Sequence, residues 1–113
     1  MIRKLETKKY DFVVIGGGMS GICAALAAAR NGAKTALIHN RSVLGGNASS
    51  EVRIHISGAS DSQKKPELEE SGILYELMLD NKAQNDWFSY PLWDAVLFNK
   101  VRFQQNLDLY MNT

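Results

Sequence analysis

Cysteine is nearly absent from this 113-residue sequence, and the lone Cys23 leaves no internal disulfide to form. Its two histidines, His39 and His55, do not make a zinc-finger pattern, and no other residues point to a metal. An excess of either charge is missing too. Lys and Arg total 13 against 12 acids, a formal net charge of +1, so there is no electrostatic case for nucleic acid or an anionic membrane as partner. A long hydrophobic run is also lacking. The uncharged stretch from Phe12 to Ala29 follows Arg3, Lys4, Lys8 and Lys9 and superficially resembles an export signal or anchor. Glycines at four of the six positions from Gly16 to Gly21 suit neither. A cytoplasmic location is therefore expected. The length suffices for one small domain, without internal repeats, and the 45% hydrophobic content is ordinary for a globular chain.

What is present begins at Phe12. The β-branched and aromatic run Phe12 to Ile15 predicts a buried strand that leads straight into Gly16, Gly18 and Gly21, spaced G-x-G-x-x-G. Gly16 permits a tight turn, Gly18 lets a pyrophosphate approach the backbone, and Gly21 lets the next helix pack close to the sheet. That helix starts near Met19, so free N–H groups of Met19 and Ser20 and the positive end of the dipole face the phosphates. Ala24, Ala25 and Ala28 suit close packing, Asn31-Gly32 closes the helix, and Thr35 to Ile38 supplies a second buried strand. The spacing predicts a βαβ dinucleotide-binding unit of about 30 residues.

About 20 residues past the glycines an acid ordinarily binds the cofactor ribose. Here His39-Asn40-Arg41 stand instead. The His39 ring or the Asn40 amide are the candidates for that bond. Arg41 suits either the 2′-phosphate of NADP or a solvated loop. Next, Gly45 and Gly46 allow a second close backbone approach, and Asn47, Ser49 and Ser50 add compact hydrogen-bonding groups. The alternative is a surface turn, which draws on the same residue types.

Val13-Val-Ile-Gly-Gly-Gly-Met-Ser-Gly21 together with Val43-Leu-Gly-Gly-Asn-Ala-Ser-Ser-Glu-Val-Arg53 resembles the N-terminal part of the FAD-dependent oxidoreductase family, within the glutathione-reductase-like FAD fold. The resemblance implies FAD bound non-covalently in extended form, with Gly16, Gly18 and Gly21 at its pyrophosphate and the Gly45–Ser50 loop nearer the pyrophosphate and flavin half. It also implies that residues 1–113 are the N-terminal portion of a larger FAD-binding fold, inactive alone, with an unknown small-molecule substrate and a capacity to self-associate. Two further readings stay open, an NAD(P)-binding dehydrogenase domain and a non-catalytic Rossmann-like module.

Downstream, Val52, Ile54 and Ile56 alternate with Arg53, His55 and Ser57, which predicts an extended segment with Arg53 and His55 on one face. They lie either beside a flavin ring or on the polar side of a half-exposed strand. Gly58 to Lys65 reads as a polar loop. Residues 66–104 read as a helical insertion, with one helix opening over Pro66 to Glu70 and running through Ile73, Leu74, Leu77 and Met78 to Asn81-Lys82. A second opens at Pro91, with Asp94 adding negative charge near its start and Leu92, Trp93, Val96, Leu97 and Val101 as its buried stripe. Trp87, Phe88 and Trp93 are candidates either for the core or for a cofactor wall. Leu107, Leu109 and Met111 predict a third strand, giving an α/β fold with a parallel sheet in the order 3-2-1, half of a doubly wound domain.

Overall fold

A computed structural model describes residues 5–59 and 68–113. Three strands, β1 (Phe12–Ile15), β2 (Thr35–Ile38) and β3 (Leu107–Tyr110), form one parallel sheet in which β2 is central. Val14, Leu37 and Leu109 stand in one register row, as do Ile15, Ile38 and Tyr110. The expected 3-2-1 order is the observed one, making this a partial Rossmann-like α/β domain. Among the described residues no helix is long and apolar enough to cross a membrane.

Helix α1 (Met19–Arg30) returns the chain from β1 to β2. Its buried Ile22, Ala25, Leu26 and Ala29 follow helical spacing. Its end is a Schellman turn: Gly32, at φ +90°, donates to Ala29 O, and Ala33 donates to Ala28 O. Two further helices, α2 (Gly72–Gln84) and α3 (Tyr90–Arg102), precede β3. Leu77, Trp93, Val96, Leu97 and Val101 join Ile22, Leu26, Leu37 and Leu107 in one core.

The helical segment departs from its sequence reading in several places. Pro66 lies outside the described residues, and α2 starts at Gly72 behind Ser71, so Glu69 and Glu70 precede the helix and no acid occupies its first turn. Met78 turns outward, and Leu92 of α3 is also exposed. Asp94 is buried and accepts the backbone N–H of Ser50 at 2.9 Å, a tertiary bond rather than a dipole partner. Fully buried Asn85 joins the two helices. Its amide donates to Asn81 Oδ1 and Ser89 O and accepts from Ser89 N, while Ser89 caps α3 by accepting from Leu92 N. Trp93 belongs to the core, whereas Trp87 and Phe88 are exposed.

No strand forms at Val52 to Ser57. Arg53 takes a left-handed conformation, φ +62°, which breaks the alternation expected there. Its carbonyl accepts from the Tyr90 hydroxyl at 3.1 Å, and its Nε donates to Ser50 O. Tyr10 spans to β3 ahead of β1. Its hydroxyl donates to Asp108, and with Tyr110 it shares a 2.5 Å hydrogen bond; the bond to Tyr110 first, then that to Asp108, holds the Tyr10 phenol above its ordinary pKa.

Candidate functional site

The site lies at the carboxyl ends of β1 and β2, where two glycine loops meet. Residues leaving β1 turn sharply at Gly16, whose φ of +109° is open to glycine and strained for other residues. Gly21 sits directly beneath that turn: a Cβ on it would fall 1.8 Å from Gly16 O. The close helix–strand approach expected at Gly21 is therefore present. Gly18 differs in kind. It caps α1 in extended conformation, and a Cβ there would meet nothing within 4 Å.

The first turn of α1 has no side-chain cap and no acid. Ile22 N donates to Gly18 O, so the N–H groups of Met19 and Ser20 precede the helix's own hydrogen-bond ladder. Such donors at a helix start favour an anion.

The second loop is bound edge-to-edge to the first. Gly45 N donates to Gly17 O at 2.8 Å, and Gly18 and Gly45 form a parallel bridge. Gly45 at φ +113° and Gly46 at φ +58° both occupy backbone regions that favour glycine, and a Cβ on Gly46 would lie 3.2 Å from Gly18 Cα. A single 3-10 turn over Gly46–Ala48 carries the chain on. Ser49, at its end, is buried, its hydroxyl donating to Gly46 O and accepting from Glu51 N, so this side chain shapes the loop instead of facing outward. Ser50 is held by its backbone bond to Asp94.

Gly18, Met19, Ser20, Gly45, Gly46 and Asn47 line an open cleft of about 470 Å³, completed by Ala48 and Ile54 to Ile56. His55 is exposed on its rim; Arg53 does not line it. A smaller cavity of about 150 Å³ shares Gly46 and Asn47 with this cleft. Asn40, Arg41, Ser49 and Glu51 are among its walls. Arg41 pairs with Glu51 at 3.5 Å and remains two-thirds exposed. An apolar cavity of about 180 Å³, with Phe88, Tyr90 and Trp93 in its lining, adjoins through Ala48, Ile54, His55 and Ile56.

His39 is placed at the end of β2, but its ring turns inward and is nearly buried. Nδ1 accepts the Gly17 N–H at 2.9 Å, and Nε2 lies 2.9 Å from Val43 O. A carbonyl only accepts, so Nε2 carries the proton and donates. Both ring nitrogens are thus committed within the chain, and the ring has no bond left for a ribose. The exposed groups near it are Asn40, Arg41 and Glu51.

Three residues with a part in this arrangement escape sequence reading. Gly17 is one: a Cβ on it would stand 2.4 Å from Leu44. The run of three glycines was a visible signal for it. Glu51 supplies the carboxylate of the smaller cavity, from the second loop rather than from β2. Asp94 was legible only as a charge near its helix start, and its bond to Ser50, 44 residues away, gave no local signal.

The family model for FAD dependent oxidoreductases matches residues 11–112. Among solved structures, L-proline dehydrogenase from P.horikoshii aligns at 22% identity with a TM-score of 0.43, over 91% of this chain and 15% of that one. The chain thus spans about one-seventh of that enzyme's length. With the family model matched from the residue before β1 to the residue before the last, the chain belongs to the FAD dependent oxidoreductase family.

Proposed function

We propose that this chain binds FAD in extended form and is the dinucleotide-holding part of a flavin-dependent oxidoreductase. The observation that carries the reading is the open space over Gly18. It lies at the uncapped start of α1, inside a cleft whose other wall is the bridged Gly45-Gly46 loop. A diphosphate needs such a floor: backbone without side chains, free N–H donors and the positive end of a helix dipole. The residues present fit that part of the cofactor.

In this reading Gly18 admits the pyrophosphate, and the Met19 and Ser20 N–H groups donate to its oxygens. Gly16 and Gly21 serve indirectly by setting the turn and seating the helix. Gly45, Gly46 and Asn47 form the opposite wall, which an NAD site has no need of. Ser49 and Ser50 keep that wall in shape through Gly46 O and Asp94. Asn40 and Arg41 are the β2-end groups exposed to the ribose side, and Arg41 is partly neutralised by Glu51. FAD, when bound, supplies the redox chemistry as acceptor and donor of a hydride or of electrons. On the loop that follows, the exposed His55 imidazole stands at the cleft's rim, and the Arg53 guanidinium, anchored to Ser50 O through Nε, lies beyond it.

Gly18→Val tests the reading cleanly, because the new side chain enters space unoccupied by the chain itself. The variant should keep the wild-type circular dichroism spectrum and lose flavin binding in a fluorescence titration. A folded variant that binds FAD as the wild type does would overturn the assignment. Gly46→Leu adds the cofactor test: weakened FAD with an unchanged NAD response supports the two-loop site, and equal loss of both, or of neither, argues against this role for the second loop.

A further inference from the structure

We propose that His39 is a positioning residue for the dinucleotide's phosphates. As a neutral ring protonated on Nε2, it clamps the Gly17 peptide and so holds the phosphate loop in its binding shape. The proposal rests on the FAD reading above, and it assigns the ring a task other than the ribose contact of an acid at that place.

The geometry is that of a latch between the two glycine loops. Gly17 N–H is fixed by His39 Nδ1, Gly17 O by Gly45 N, and the ring's other nitrogen reaches forward to Val43 O, two residues before Gly45. Gly17 is therefore held through both its N–H and its carbonyl, and Gly18, whose backbone floors the cleft, follows it directly. Space around it is full, since a Cβ on Gly17 would stand 3.0 Å from His39 Cγ and closer still to Leu44. His39 itself is tied into the sheet by His39 N to Tyr110 O and by Thr113 N to His39 O. The latch thus refers the loop's position to the central strand.

The test uses the 113-residue chain with FAD as titrant at neutral pH, followed by flavin fluorescence. His39→Leu removes the acceptor of the Gly17 N–H and should weaken binding about fivefold to tenfold, the worth of one hydrogen bond. His39→Asn offers an amide oxygen close to the place of Nδ1, so it should bind FAD near the wild-type level, a rescue that a merely space-filling role of the ring would not give. A folded His39→Leu that binds FAD as the wild type does, or a His39→Asn that binds no better than His39→Leu, overturns the proposal. Imidazole ¹⁵N spectra of the free chain read the latch without any cofactor: a proton on Nδ1 overturns it, and the Nε2–H tautomer with a Gly17 amide signal that shifts in His39→Leu sustains it. If no form binds FAD, the flavin reading fails and the spectra decide the latch alone.

Discussion

A methyl group separates the two kinds of glycine in the phosphate loop. On Gly21 it would collide with a backbone oxygen that cannot move without reopening the turn at Gly16. On Gly18 it would enter empty space. Gly21→Ala should therefore destabilise the fold by about 3 kcal/mol, the upper end of ordinary overpacking. Gly18→Ala should cost about 1 kcal/mol or less, through the poorer helix cap alone. Urea denaturation of the two variants checks the contrast. Equal losses would mean that Gly18 serves the fold and not a ligand. The same distinction explains why one sequence motif holds residues of two sorts. Its spacing reveals a dinucleotide loop, and only the coordinates separate the glycine that seats the helix from the one that admits the phosphate.

Among the elements, the βαβ unit was legible because several local signals agree on it: an apolar run, glycines at fixed spacing, alanines on the helix, and Asn31-Gly32 at its end. The parts that misled had signals that tertiary structure outvoted. Alternation at Val52 to Ser57 promised a strand, yet the left-handed Arg53 and the bond from Tyr90 to its carbonyl bend the segment away. His39 stands where a ribose acceptor was expected, and no periodicity shows that a ring will turn inward to Gly17. Between the helices, charge supplies a link that sequence spacing does not display. Arg30 of α1 pairs with Glu76 of α2 at 2.6 Å, and Lys100 of α3 reaches both Glu76 and Asp80. The hydrogen bond from Arg30 holds the Glu76 carboxyl below its ordinary pKa. A depressed carboxyl stabilises the fold above the ordinary value and loses that contribution as pH falls through the lowered one. Glu76 is half-exposed, so the gain is about 0.5 kcal/mol or less. Glu76→Gln should flatten the stability profile below about pH 4.5 and leave its shape unchanged near neutrality. Denaturation midpoints measured across that range decide it, and parallel curves for the two proteins would count against the pairing.

Across the whole molecule, apolar surface is distributed unevenly over the sheet. Helices α1 and α3 cover the side bearing Leu37 and Leu107, whereas among the described residues β1 pairs on one edge only, with β2. On that strand Phe12 is 44% exposed, Val13 49% and Ile15 83%. Parallel strands are ordinarily covered on both faces, and an apolar strand with an unpaired edge is a template for another strand. Tyr10, Asp108 and Tyr110 bring polar groups together beside β3, so the β1 end is the apolar one. The 113-residue chain is therefore expected to self-associate through β1 in solution. A lysine at Val13 would add charge to the half-exposed position in the middle of that surface without entering the helix-facing core, and charge on an edge strand opposes pairing. Size-exclusion chromatography with light scattering should show wild-type chain above the monomer mass at high concentration, and Val13→Lys shifted toward it with an unchanged circular dichroism spectrum. A wild-type chain that stays monomeric as its concentration is raised would show that β1 is tolerated bare. An assembly that Val13→Lys leaves intact would place the contact elsewhere, with the exposed Trp87 and Phe88 between α2 and α3 the next surface to alter.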